Sequence, residues 1–265
     1  MTAVTHFPRF LQLLAHDQRW QMLQALSHSD LRVQELASIT RQPQNLVSYH
    51  LGRLLQAGLL REHRSIADGR EVYYSLDITH LEQLFLASGR ALHPSLGATR
   101  GVSGTNPPIG PLRVLFLCTH NSARSQMAEG LMNRRGQGWV KASSAGLEPT
   151  VIHPMTIQVM GELGLDTAEQ YAKPLALYQD QEFDALVTVC DRSRGVASAF
   201  PTARDRLHWS LADPVEAQGG HDQQLALFRS VAAELDSRID HLLARLRFEH
   251  AGNFPHLNYN PQEQM

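Results

Sequence analysis

The apolar residues of this chain follow two patterns, separated by a stretch with almost no periodicity. In the first, Phe10, Leu13, Leu14, Leu23 and Leu26 recur at helical spacing, which predicts amphipathic helix. Leu31 to Ile39 predicts a short second helix. TRQPQN (Thr40 to Asn45) is a turn with a helix start. The helix after it buries Val47, Leu51, Leu54 and Leu55 and stops near Gly58. Residues 59–76 predict two strands joined at Asp68-Gly69, a hairpin turn pair. A final helix at 78–92 carries Leu81, Leu84, Phe85 and Leu92.

Residues 95–111, SLGATRGVSGTNPPIGP, are rich in Gly, Ser, Thr and Pro and read as a linker. Beyond it the pattern changes. Arg113 to Leu117 is a short apolar run of the kind found in buried parallel strands, followed by a polar loop and a helix from about Ser125. DALVTVC (184–190) is a second buried strand, and 221–246 a long amphipathic helix. Alternating strands and helices imply an α/β domain with a mostly parallel sheet. The expected division is 1–94, linker 95–111, a second domain at 112–247 and a flexible tail at 248–265. No internal repeat is found.

With 265 residues, the chain is long enough for two cores. Its 43% hydrophobic and 19% charged residues fit a globular protein. No apolar run approaches the roughly 18 residues of a membrane span, and no signal peptide is read. The expected location is the cytoplasm. Two cysteines, Cys118 and Cys190, exclude a disulfide scaffold and suit a reducing compartment.

The net charge of −2 says little, but its distribution says more. No acidic residue occurs from Leu36 to Arg61, while Arg41, Arg53 and Arg61 are followed by Arg64 and Arg70. The alternatives are a solvated face and an anionic partner. The turn, the helix with Gln44, Asn45, Ser48, Tyr49 and His50 on its polar side, and the basic hairpin together suggest an α+β winged helix-turn-helix domain. Its recognition helix, with Arg53, would enter the major groove of a double-stranded operator. Arg64 and Arg70 on the wing would reach phosphates or the minor groove.

The sequence LCTHNSARSQ sets Cys118 just after a strand and Arg124 at a helix start, with five residues between. A tight loop at a helix N-terminus aims backbone N–H groups at one point and can hold a tetrahedral dianion. Thr119, His120, Asn121, Ser122, Ala123 and Ser125 would form that cradle. The same donors would lower the pKa of Cys118 and make it a nucleophile. Arg124 would clamp two oxygens of the anion. Ser125 would donate to the sulfur, and Asn121 tolerates the positive φ that such a loop demands.

The loop resembles the signature of the low-molecular-weight protein tyrosine phosphatase fold in its arsenate reductase branch. SSAGLEP (143–149), HPMTIQVMGELGLD (153–166), AKPL (172–175), LVTVCD (186–191) and HWSLADPVEA (208–217) resemble further family segments in order. The resemblance implies that Asp213, before Pro214, is the general acid, and that Cys190 is the second redox thiol. Val215 and Glu216 stand where the phosphatases tend to carry aromatic residues. Thioredoxin-coupled members have a third cysteine soon after the second, and 191–201 has none. The expected reductant is therefore an external thiol: thioredoxin acting directly, glutaredoxin or a low-molecular-weight thiol. Phosphomonoester hydrolysis, or oxyanion sensing without turnover, are the alternative activities.

Residues 14–37, 42–60 and 69–76 resemble the ArsR-type repressors, which are usually homodimers paired through terminal helices. Arg32 and Gln34 stand where many arsenite-sensing members have cysteines. His80 and His93 do not match the zinc spacing of other relatives, so neither bound cofactor nor metal is expected. A bifunctional regulator and reductase is the expected whole.

Overall fold

The computed structural model describes residues 8–65, 69–93, 111–197 and 202–250. The first part opens with helices α1 (Arg9–Leu14) and α2 (Asp17–Leu26). A two-residue strand, β1 (Leu31–Arg32), precedes α3 (Val33–Thr40) and α4 (Gln44–Gln56). Strands β2 (Leu60–Arg64) and β3 (Val72–Leu76) and helix α5 (Ile78–Leu92) complete it. The sheet order is β1-β3-β2, antiparallel throughout. The second helix therefore begins later than its periodicity predicts. Leu31 and Arg32 pair with Tyr74 and Tyr73 instead, adding a third strand to the hairpin. The hairpin register runs to Arg64 opposite Val72, but Asp68 of its expected turn lies outside the described residues. Leu36, Val47, Leu51, Leu54 and Leu59 are fully or almost fully buried between the helices and the wing.

The second part is a parallel sheet of β4 (Leu112–Cys118), β5 (Val140–Gly146), β6 (Phe183–Thr188) and β7 (Ala203–His208), in the order β5-β4-β6-β7. Its helices are α6 (Arg124–Gly136), α7 (Pro154–Glu162), α8 (Asp191–Ala197) and α9 (His221–His250). The period of two in β4 decides the layers. Val114 and Phe116 face the core shared with Met127, Leu131, Phe228 and Leu235, while Leu115 and Leu117 face Phe183 and Leu186 on the other side. Burial on both faces explains why β4 reads as a continuous apolar run.

Helix α9 continues to His250, beyond the expected start of the tail, and the remainder of the tail and the expected linker from 95 to 110 fall outside the described residues. Cys190 sits in the turn after β6 rather than in the strand, which ends at Thr188.

The two parts meet along the edge strand β7 and helix α8. The Asp30 N–H donates to the His208 carbonyl at 2.8 Å, and Asp30 pairs with Arg238 of α9 at 3.0 Å. Glu35 of α3 pairs with Arg194 of α8 at 2.6 Å. The Tyr73 ring packs on His208 at 5.1 Å. Among the described residues, no helix is long and apolar enough to cross a membrane.

Candidate active site and nucleic-acid face

The loop from Cys118 to Ala123 is shaped by what holds its carbonyls. The Cys118, Thr119 and His120 oxygens accept from the N–H groups of Leu147, Glu148 and Thr150 at 3.2, 2.8 and 3.0 Å. The Ser122 oxygen accepts from the His153 N–H and the Thr156 hydroxyl, each at 3.0 Å. With those carbonyls held by neighbouring segments, the Asn121 N–H reaches Cys118 Sγ at 3.0 Å. Gly146 lets the loop sit so close. A Cβ there would lie 2.9 Å from the Thr119 oxygen and 3.0 Å from the Asn121 nitrogen.

Asn121 has φ of 49° and no exposed surface. Its Nδ2 donates to Ser125 and Ser144 at 2.9 and 2.8 Å, and its Oδ1 accepts from Gln126 Nε2 at 2.9 Å and the Lys173 N–H at 2.7 Å. These bonds hold a left-handed conformation that would otherwise be strained. Because Ser125 Oγ accepts from Asn121, its own hydrogen is left for Cys118 Sγ, 2.8 Å away. Lys173 also pairs with Glu129 at 2.9 Å beneath the loop. Ser144, Gln126, Glu129, Lys173 and Gly146 were not singled out from the sequence. The only signal was that SSAGLEP and AKPL resemble family segments.

Burial is the largest influence on Cys118 and pushes its thiol up. The neighbouring Cys190 adds to this, while Ser125, Arg124 and the Asn121 N–H oppose it. The expected lowering is thus overturned: the loop donors are present, but desolvation outweighs them. Arg124 is mostly engaged elsewhere. Its Nη2 pairs with the Asp213 carboxylate, and its Nη1 donates to the Leu211 oxygen at 3.0 Å. Cys118, Arg124 and Asp213 are therefore gathered at one place, all of them largely buried.

Cys190 is close by and 4% exposed. Its Sγ lies 3.3 Å from Thr119 Oγ1 and 3.2 Å from Ser193 Oγ. The next residue, Asp191, would be raised by burial. Hydrogen bonds from His208, Ser65 and Ser210 outweigh that and hold it well below the usual carboxylate range. Burial keeps His208 below the ordinary histidine value. Its Nε2 lies 3.2 Å from Asp191 and its Nδ1 lies 2.8 Å from the Thr188 hydroxyl.

On the other part of the chain, Gln44, Asn45, Ser48, Tyr49 and Arg53 of α4 and Arg64 and Arg70 of the wing are exposed. His50 is not: it is 3% exposed, with its ring 4.7 Å from that of His16. Position 50 is three residues after Val47 and four before Leu54, so it belongs to the inward stripe of the helix. Among the described residues, no group of three or more His, Cys, Asp or Glu is arranged to hold a metal ion.

Comparison with known proteins adds the following. Residues 113–251 match the family described as low molecular weight phosphotyrosine protein phosphatase, and residues 16–71 match the MarR family. The second match marks the first part as a helix-turn-helix region of the kind found in DNA-binding regulators. An arsenate reductase of Halalkalibacterium halodurans is 38% identical over 127 residues, 48% of this chain and 91% of that protein. A glutaredoxin arsenate reductase of Synechocystis is 31% identical over 134 residues, 51% of this chain and 98% of that protein. A solved structure described as an arsenate reductase in the phosphate binding state has a TM-score of 0.45 and 32% identity, covering 51% of this chain and 98% of the other.

Proposed function

Through residues 113–251 this chain belongs to the low-molecular-weight phosphotyrosine protein phosphatase family, and on that premise we propose that it joins a thiol-dependent arsenate reductase to an ArsR-type DNA-binding regulator. One observation carries the reductase reading. A second thiol stands beside the first, with Cys190 Sγ 3.3 Å from the hydroxyl of the residue that follows Cys118. Ester hydrolysis has no use for it, whereas it lets the chain resolve its own arsenic adduct.

Arsenate enters the loop and takes Arg124 from Asp213, so that the guanidinium grips two oxygens. The Cys118 proton passes to the Asp213 carboxylate freed by that exchange. Sγ attacks arsenic. One oxygen leaves as water, taking that proton from Asp213. Cys190 then attacks Cys118 Sγ. A disulfide forms, the S–As bond breaks, and its electron pair stays on arsenic, which departs as arsenite carrying the Cys190 proton. Two thiols become one disulfide as As(V) becomes As(III).

The chain has no third cysteine to pass the disulfide outward. Thioredoxin reduces it directly, or glutaredoxin or a small thiol takes over the second step. The Synechocystis relative named for glutaredoxin supports the latter route. Val215 and Glu216, both solvent-exposed, offer a poor wall for a phenyl ring, which disfavours an aryl phosphate.

In the first half, Gln44, Asn45, Ser48 and Tyr49 read the major groove while Arg53, Arg64 and Arg70 meet phosphates. A second copy pairs against α1 and α5, where Phe85 is 45% and Leu92 80% exposed. The resemblance of 14–37, 42–60 and 69–76 to ArsR-type repressors supports this finer assignment within the helix-turn-helix regulators. The cytoplasm is the compartment this pairing of functions needs.

The test is arsenite production by the purified chain with thioredoxin, glutaredoxin and small-thiol systems tried separately. With thioredoxin as reductant, turnover is expected to vanish in both C118S and C190S. Loss in C118S alone would make an external thiol the resolving group. Aryl phosphate hydrolysis surviving C190S, without arsenite, would replace the reductase with a phosphatase. Anion binding without any turnover would make the site a sensor.

A further inference from the structure

Asp30 lies in the first half of the chain, in the turn between α2 and β1, yet its partners belong to the second half. It is 3% exposed. Its Oδ2 accepts from the Ser210 N–H at 2.7 Å, and both oxygens take Arg238 Nη1 at 3.0 Å. Its own N–H donates to the His208 oxygen at 2.8 Å, and the adjoining Ser29 Oγ accepts from the His208 N–H at 2.7 Å. Ser29 and Asp30 thus continue the edge of β7 and clasp His208 to Ser210 along the backbone. On the far side of the same segment, the Leu211 oxygen receives Arg124 Nη1 at 3.0 Å, and two residues later Asp213 pairs with Arg124. Arg238 is shared with Glu234 at 2.7 Å and lies over the Trp209 ring at 5.9 Å, so the segment is held from a third direction.

A carboxylate buried to this degree needs full hydrogen-bonded compensation. Here that compensation is the backbone of the loop that delivers Asp213, together with one arginine beneath it. Few residues separate Ser210 from Asp213, and both ends of the stretch are tied. A shift at Ser210 therefore reaches the carboxyl with little room to dissipate, and displacements of about 1 Å at a reacting group cost on the order of 100-fold in rate.

We propose that Asp30 is a positioning residue for the Asp213 loop, so that the DNA-binding half completes the geometry of the active site in the other half. The proposal rests on the arsenate reductase reading above. It assigns no role in chemistry to Asp30 itself, which touches neither Cys118 nor Arg124 in any contact described.

The experiment uses the full chain. D30A removes the acceptor for Ser210, whereas D30N keeps an oxygen for it. Arsenite formation, inhibition by inorganic phosphate, and amide hydrogen exchange over 208–213 are measured for each. D30A is expected to lower kcat by about 10- to 100-fold, to change the phosphate inhibition constant by less than about 3-fold, and to speed exchange at 208–213. D30N is expected to recover most of kcat. In the D213N background, D30A should cost nothing further, because an absent acid cannot be misplaced.

Unchanged kcat in D30A overturns the proposal, as does an additive loss in the double variant, which would mark Asp30 as merely structural. S29A, which removes only the two bonds of the Ser29 hydroxyl to His208, should show the same pattern at smaller size and decides the matter if D30A does not fold; full kcat with unchanged exchange there overturns it. A wild type that makes no arsenite overturns the reaction reading instead, and exchange at 208–213 then judges the clasp by itself.

Discussion

In the Cys118 loop the carbonyls of Cys118, Thr119, His120 and Ser122 are all bonded to neighbouring segments, and Asn121, which sets the bend, is wholly buried. On helix α4 the polar side chains of Gln44, Asn45, Ser48 and Tyr49 stand in solvent. On the proposed function both regions meet an anion, and they meet it differently. A small tetrahedral ion would be held by a fixed loop, and burial and a hydrogen-bond network supply that rigidity. A duplex brings its own shape and a long row of charges, so the protein offers side chains that settle on contact. One region should fail abruptly when altered, the other by degrees.

The largest effect should come from N121A. Four side-chain bonds in a buried site are lost, and the left-handed backbone loses its support. Arsenate turnover is expected to fall more than about 100-fold, with a stability loss of about 3 kcal/mol, read by steady-state assay and thermal unfolding. Turnover within 10-fold of wild type would mean that the loop holds itself. Next comes the pair Q44A/N45A on α4. Affinity for an operator selected from random DNA should drop by about 10-fold or more, since each good base contact is worth ~1–3 kcal/mol, with arsenite formation unchanged. Equal affinity would move the reading surface elsewhere.

A smaller effect is expected from G146A. The added methyl meets the backbone of Thr119 and Asn121, and such overpacking costs about 1–3 kcal/mol. Turnover should fall more than folding suggests, because the loop is what must give way. The smallest effect is one of pH. Burial raises the Cys118 thiol, so in the free protein its alkylation by iodoacetamide should still be climbing as pH passes the ordinary thiol value near 8.5. A rate already level at pH 7 would show that the loop donors win over desolvation.

The sequence made the loop legible because its parts are contiguous. Cys118, Asn121, Arg124 and Ser125 fall within eight positions, and their residue types match the strand–loop–helix they occupy. The supports were not legible. Ser144 and Lys173 reach Asn121 across 23 and 52 positions, and nothing local marks them. Strand β7, ARDRLH, was missed because an edge strand with polar residues on one face lacks an apolar run. Strand β5, VKASSAG, was missed because its small residues carry little periodic signal. His50 was misjudged by residue type, although its spacing to Val47 and Leu54 pointed inward. Leu31 and Arg32 were given to a helix because a two-residue strand exists only through its partner. Asp30 could not have been read at all: Ser210 and Arg238 are 180 and 208 positions away.

That last pairing bears on modularity. The relatives compared above are nearly filled by the second half of this chain alone, which invites the view of two independent parts on a string. Arg238 and the Ser210 amide contradict it, since both look to a carboxylate encoded near the start of the chain. Cutting the chain in two would leave a buried cation and a backbone donor short of a partner. On the proposal made for Asp30, the second half is not a freestanding enzyme that happens to be fused. It has become a tenant of the first, and transplanting it would require rebuilding that one corner.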